Sequence, residues 1–303
     1  MANSQSTNHI MMVEPIGFHS NPQTRETNSY QEKDPDDLLR LRHKSSQEFR
    51  AFRDMLVAES ICVTTAIGST DTPDDVFCNN WVSTHRRQRG EGVMVLYPIL
   101  APNRQRERRE DLIAFLHKLY GRTLDLSEAE KTGQVLEGTG VMCFDRVNKV
   151  AYIARSVRMD EEVAARFAQD LDFETVFFDT QNHAGEPIYH TNLMMYIGSA
   201  YAGICSAAIV PQDKERVMAK LSQTHEIIDI SMDQVKNFCG NALQLTDASG
   251  QLVVAMSSRA HAAYTGSQKK TLHKHVDRII HSDLATIEKY GGGSARCMLL
   301  ELF

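Results

Sequence analysis

One order of elements recurs along this chain of 303 residues: an alternating hairpin, an amphipathic helical stretch, then one more β-rich run. The clearest copy reads "LEGTGVMCFDRVNKVAYIARS", then "DEEVAARFAQDL", then "ETVFFDT". Its first part alternates with a period of two and its second repeats at helical spacing. The next copy follows as "HTNLMMYIGSAYAGICSAAI", "DKERVMAKLSQT" and "HEIIDIS". Another opens "GNALQLTDASGQLVVAMSSRA", with an Ala-Ser-Gly hairpin turn, and predicts a helix over Gln268 to Ile280. Two earlier copies fit more loosely. One runs from "NNWVSTHRRQRGEGVMVLYPIL" into "ERREDLIAFLHKLY"; the first comprises "IMMVEPIGF", a helix from Asp36 to Ala58, and "ICVTTAI". Five units of roughly fifty residues each indicate a propeller, a solenoid or an array.

The units open on polar residues: Asn80, Glu137, His190 and Asn241. Arranged around an axis, they would start their inner strands at one end and bring these side chains to a common centre. Taken singly, each is as readily a capping residue at a strand start. The chain ends with "EKYGGGSARCMLLELF", in which a triple glycine and Cys297 precede a short apolar run. Glycines allow a sharp turn and close backbone approach, so this end reads as a buried closing strand with a thiol at its mouth.

Other classes drop out on composition. A formal net charge of -6 argues against a nucleic-acid-binding surface. The basic run "RQRERR" from Arg104 to Arg109 is a local exception, either a carboxylate anchor or the start of a helix. Residues 1–9 read as a flexible N-terminus without a signal peptide, ahead of one domain over 10–303. No run is long and apolar enough for a membrane span, so no membrane partner is expected. The six cysteines are dispersed without CxxC pairing, which fits reduced thiols and a cytoplasmic location. Their spacing does not suggest zinc, and "HKH" at His273 to His275 reads as a solvated face. The triple glycine lacks the Lys-Ser/Thr and helix of a phosphate loop, so no nucleotide cofactor is expected. Oligomeric state stays open, with a homodimer compatible.

The set "FCNNW", "LEGTG", "YHTNLMM", "CGNALQL", "MSSRA" and "GGGSARCML" resembles the guanidino-group-modifying enzyme superfamily, within it most closely the citrulline-utilisation hydrolase branch. The resemblance implies a five-bladed α/β propeller, or pentein, of ββαβ-type repeats with pseudo-fivefold symmetry. It implies Cys297 as nucleophile, His190 as acid and base, and Glu137 as the carboxylate opening the third unit, and it implies no metal. It also matches Arg155 in "YIARS" to a residue holding the substrate's α-carboxylate, with Arg104 as a second candidate. Arg259 is left undetermined, and Cys78 reads as a space-filling thiol.

One departure from the family's pattern bears on substrate. Guanidinium-cleaving members usually carry aspartates where this chain has Asn80 and Asn192. A neutral amide suits a neutral ureido group better than a cation, because a buried carboxylate needs a charge partner. The reading is therefore a small-molecule hydrolase, citrulline to ornithine, ammonia and carbon dioxide through an S-carbamoyl intermediate. The alternatives are an arginine deiminase, a methylarginine hydrolase or an amidinotransferase, and in another class a non-catalytic propeller that binds without turnover. Loops at Asn21 to Gln31 and Val82 to Gly92 are expected to set substrate length.

Overall fold

The computed structural model describes residues 4–34, 37–86 and 92–303. The first unit contains β1 (His9–Glu14), a single turn α1 (Pro22–Arg25), α2 (Leu38–Ala58) and β2 (Cys62–Ile67). The second contains β3 (Val82–His85), β4 (Val93–Leu96), α3 (Pro102–Gln105), α4 (Glu110–Leu119) and β5 (Arg122–Asp125). The third follows with α5 (Gly138–Val141), β6 (Met142–Asp145), β7 (Val150–Ala154), α6 (Glu161–Leu171) and β8 (Glu174–Phe178). The fourth has β9 (Met195–Ile197), β10 (Tyr201–Ile204), α7 (Pro211–Ser222), β11 (Glu226–Asp229) and α8 (Met232–Lys236). The fifth has β12 (Leu243–Thr246), β13 (Leu252–Ser257), α9 (Ser258–Ala263), α10 (Gly266–Leu272) and β14 (Arg278–Ser282). After it come α11 (Ala285–Gly291) and β15 (Leu300–Glu301).

Each unit forms one three-stranded sheet, giving five among the described residues. In every sheet the middle strand is antiparallel to the inner strand and parallel to the outer one, as in β6-β7-β8. A parallel pair needs a crossover, and a helix supplies it. The first sheet is closed by the chain's other end: β15 pairs antiparallel with β1 through Ile10↔Glu301 and Met11↔Leu300. The apolar tail is thus the inner strand of the first unit. Around the molecule, β15 neighbours β3, α5 neighbours β3, β6 neighbours β9, and β9 neighbours β12. The segment before β15 then neighbours β13, so the order closes on itself.

Burial explains the composition of the strands. Inner strands β3, β6 and β9 are buried throughout, so polar alternation is suppressed. Outer strands β2 and β5 contain no buried residue, and β5 ends its exposed edge on Asp125. The helices bury one stripe; in α6 it is Val163, Ala164, Phe167, Ala168 and Leu171. Asp160 caps that helix by accepting from Glu162 N and Val163 N. The expected Ala-Ser-Gly turn is present, with Asp247 accepting from Ser249 N and Gln251 N and Gly250 at φ +85.

Two expectations change. The helix expected over Gln268 to Ile280 ends at Leu272, because Arg278–Ser282 pairs with β13 as an outer strand. The "HKH" stretch lies in the turn between them, where Lys274 and His275 pair with Glu226. In the segment expected to be flexible, Gln5, Ser6 and Thr7 are buried. Gln5 Nε2 donates to Phe144 O and Ile197 O, and Thr7 Oγ1 to Leu302 O, so residues of this segment tie inner strands together. Residues 1–3, Asp36 and the tip 87–91 of the Val82 to Gly92 loop lie outside the described residues.

Candidate active site

The chain immediately before four of the inner strands, and before α5 in the third unit, turns in toward one centre. Asn80 closes a 3-10 turn (Cys78–Asn80) ahead of β3, and Glu137 precedes α5. His190 precedes the turn Thr191–Leu193 leading into β9, Asn192 lies within it, and Asn241 stands ahead of β12. Cys297 sits in the turn Ala295–Met298 ahead of β15. All six are buried, none more than 4% exposed. The convergence expected from their register is present.

The sulfur of Cys297 is met by two amides. Asn241 Nδ2 lies 3.2 Å from Sγ and Asn192 Nδ2 lies 3.5 Å from it. Neither amide can turn over, since Asn241 Nδ2 also donates to Asn192 O and Asn192 Nδ2 to Thr139 O. Both N–H2 groups therefore face the sulfur, and the Asn192 Oδ1 lies 3.8 Å from it. Asn192, expected to meet the substrate, is not among the residues lining the cavity and packs against Cys297 Sγ. Asn241 was visible in the sequence only as a unit opener.

Glu137 has no oxygen to spare. Oε2 accepts from His190 Nε2 at 2.8 Å, and both oxygens accept from Arg158 Nη1 at 3.0 Å. Oε1 also accepts from Leu100 N at 3.2 Å. Burial opposes its charge, but Arg158, His190 and Arg104 outweigh that and hold its pKa well below the ordinary carboxylate value. Its geometry makes it an orienting group for His190 rather than a hand on the substrate. Burial lowers the pKa of His190, and the contact with Glu137 only partly offsets this. With Nε2–H given to Glu137, Nδ1 is the ring nitrogen left for proton transfer.

Arg155 lies outside this cluster. It follows β7 on the surface, 40% exposed along its side chain, and pairs with Glu161 at 2.5 Å and Asp179 at 3.5 Å. The arginine that enters is Arg158, three residues on and buried. Its loop is pinned by Glu137 N donating to Arg158 O and by an isolated bridge between Leu136 and Met159. Arg158 Nη2 donates to Thr27 Oγ1 at 2.6 Å and to Thr24 O, both in the segment after β1.

Arg104 is inside the site. It pairs with Glu107 at 2.7 Å and donates from Nη1 to Asn80 Oδ1 at 2.9 Å. In the rest of the basic run Arg108 pairs with Glu130 and Arg109 with Asp111, while Arg106 donates to Asp71 O. Arginine offers only donors, so Asn80 must turn its oxygen toward Arg104 and its N–H2 away. That nitrogen is buried and has no partner among the described residues. The same holds for Oδ1 of Asp74, whose Oδ2 accepts from Asn21 and Thr24. Asp74 is one of two adjacent acids in "TPDDVF", and no spacing rule singles it out.

These groups line a cavity of about 20 Å³ with Thr24, Asn28, Phe77, Tyr189, His190, Gly291, Gly293 and Cys297. That is room for about one water molecule, under a roof that includes Thr24 and Asn28. The triple glycine has a definite use here. A Cβ on Gly291 or Gly293 would strike the Phe77 ring at 2.6 Å or 2.8 Å, and Gly292 has φ +67. Cys78 and Arg259 stay outside. Cys78 packs in the core against Met11 O and Met298 O, and burial pushes its pKa up to about 12. Arg259 reaches Asn237 on the surface.

The fold is that of the pentein, guanidino-group-modifying enzymes, the superfamily that the sequence motifs resemble. Residues 14–303 match the family model described as N,N dimethylarginine dimethylhydrolase, eukaryotic, and the chain belongs to that family. Among solved structures it is similar to the N-terminal domain of ArgZ bound to substrate, an arginine dihydrolase from the ornithine-ammonia cycle in cyanobacteria. There the TM-score is 0.75 at 16% identity, covering 97% of each chain. Against the apo structure of ArgZ the same fold covers 96% of this chain and 40% of that one. A dimethylarginine dimethylaminohydrolase in an adduct with S-methyl-L-thiocitrulline matches with TM-score 0.67 and 16% identity over 100% of both chains. No curated protein matches by sequence. Among the described residues, no helix is long and apolar enough to cross a membrane.

Proposed function

We propose that this protein is a cysteine-dependent carbon–nitrogen hydrolase whose substrate is a ureido amino acid, citrulline, cleaved to ornithine, ammonia and carbon dioxide. We take the five sheets as blades around one axis, a reading supported by the closed order of their inner strands. The observation that carries the substrate is the Asn80 amide. Locked by Arg104, it presents a donor to the cavity. A ureido carbonyl accepts from such a donor, whereas a guanidinium has no acceptor to give it.

The chemistry then runs in two halves. His190 Nδ1 takes the thiol proton of Cys297, and the thiolate attacks the ureido carbon. Asn80 donates to the oxygen as charge develops there. The C–N bond to the ornithine side breaks, His190 returns its proton to the leaving amine, and an S-carbamoyl adduct remains. In the second half His190 removes a proton from water, which attacks the adduct and releases the thiol and carbamate. Carbamate falls apart to ammonia and carbon dioxide. For the amino-acid end, the Nε/Nη2 edge of Arg158 has the fork that an α-carboxylate fits, with Thr27 Oγ1 capping it now. The free Oδ1 of Asp74 suits the α-ammonium group.

The family match favours a second reading, hydrolysis of a methylated arginine. Incubating the protein with citrulline, arginine and dimethylarginine separates the two. Ornithine from citrulline and a carbamoyl mass on Cys297 support the first. Citrulline accumulating from dimethylarginine, and not consumed, overturns it.

A further inference from the structure

Beneath Cys297, on the side away from the cavity, two buried arginines share one carboxylate. Arg146 Nη2 and Arg296 Nη2 both reach Glu301 Oε2, at 3.3 and 2.8 Å. The three side chains are 7%, 9% and 5% exposed. Among the described residues no second carboxylate pairs with either arginine; the Phe144 and Phe303 rings face Arg146 instead. His85 Nδ1 lies 3.2 Å from Arg146 Nη1, and burial, with Arg146 and Lys149, holds that imidazole neutral. Burial and the repulsion of Arg296 also lower the pKa of Arg146, which Glu301 only partly offsets. Two cations and one anion are left in a medium where an uncompensated charge is costly.

A cavity of about 30 Å³ adjoins this group, lined by Arg146, Arg296, Glu301, Asn192, Met142 and Cys143 among others. Its volume suits a single small ion. We infer that this core cavity is a binding site for a small monovalent anion, of which chloride is the test case, held between the guanidinium groups of Arg146 and Arg296. The ion neutralises the pair, and its mostly apolar surroundings match a weakly hydrated anion better than a strongly hydrated one. The inference does not depend on which substrate Cys297 attacks.

The full-length protein is melted in sodium chloride and in sodium gluconate at equal ionic strength. The expected result is a Tm higher in chloride by roughly 2–4 °C, saturating with concentration, because a ligand that binds only the folded state stabilises it by mass action. Crystals grown in bromide are expected to show one anomalous peak between Arg146 and Arg296. Arg146→Met is expected to abolish the chloride response, and Glu301→Gln to enlarge it. Equal melting in the two salts together with no bromide peak overturns the site. So does a chloride response that survives Arg146→Met. If there is no halide effect but Arg146→Met moves the pH dependence of Cys297 alkylation upward, the thiolate is the balancing charge and the proposal fails. Should Arg146→Met not fold, the bromide map of the unaltered protein still decides.

Discussion

Arg104 donates to the Asn80 oxygen at 2.9 Å, and that one bond decides which half of the amide meets a substrate. Because the amide nitrogen is left unpaired in the cavity wall, its removal should be felt in the transition state more than in binding. Asn80→Ala is expected to lower kcat on citrulline by ~10²–10³-fold, the range for one lost oxyanion donor, with a smaller change in KM. Asn80→Asp replaces the donor by an acceptor and is expected to shift relative use toward arginine or methylarginine. Steady-state kinetics on the three substrates check this, and an unchanged ranking in Asn80→Asp would count against the ureido reading.

The His190–Glu137 pair is expected to set the acid side of the pH profile. Burial lowers the pKa of His190 below 6.5, so the neutral imidazole that accepts the thiol proton persists to lower pH than an ordinary histidine allows. Glu137 is a raising influence on that pKa, so Glu137→Gln is expected to move it further down. Imidazole NMR titration of the two proteins reads the shift directly. Stability follows a related sign. The folded pKa of Glu137 lies below its unfolded value of 4.5. Its contribution is complete above pH 4.5 and is lost as pH falls toward the folded value. Unfolding of Glu137→Gln should lose that part of the acid dependence.

Two arginines three residues apart make opposite predictions. Arg155→Ala removes an exposed ion pair and is expected to change stability by no more than about 0.5 kcal/mol, with activity kept. Arg158→Ala strips a fully buried carboxylate of its main partner and is expected to cost about 3–5 kcal/mol and most of the activity. Thermal melts and a turnover assay of the pair distinguish them. An inactive, destabilised Arg155→Ala would mean that the site has been drawn in the wrong place.

That contrast also shows what a sequence can carry. Asn80, Glu137, His190 and Asn241 were legible as openers of repeats, which are set by local period, while the roles of Cys297, His190 and Glu137 came from the resemblance to the superfamily. Arg158 was not legible, because its entry depends on non-local bonds: Ser156 Oγ donates to Tyr189 O, and Glu137 N donates to Arg158 O. Asp74 is hidden for a similar reason, since its neighbours Asn21, Thr24 and Arg104 come from distant parts of the chain. The inner strand from the C-terminus was legible, since an apolar run after three glycines has few other uses. The end of α10 was not, because "DRIIHS" carries mixed helical and β signals until β13 is there to pair with it.

Gly140 gives the most local test of the site. A Cβ there would lie 2.5 Å from Asn80 Nδ2 and 2.8 Å from His190 Cε1, with His190 Nδ1 at 2.9 Å. The glycine therefore keeps open the space into which the free amide and the working ring nitrogen project. Gly140→Ala adds one carbon to a packed centre, at a cost of about 1–3 kcal/mol. Neither neighbour is the loose end of a long chain: Asn80 is tied to Arg104 and His190 to Glu137. The methyl must therefore push one of them off its bond. The expected outcome is a folded protein, a few degrees lower in Tm, in which S-carbamoylation of Cys297 by citrulline is slowed at least ~10²-fold. Mass spectrometry of quenched samples reads that rate. Adduct formation at the unaltered rate would show that His190 and Asn80 do not act through the space Gly140 leaves.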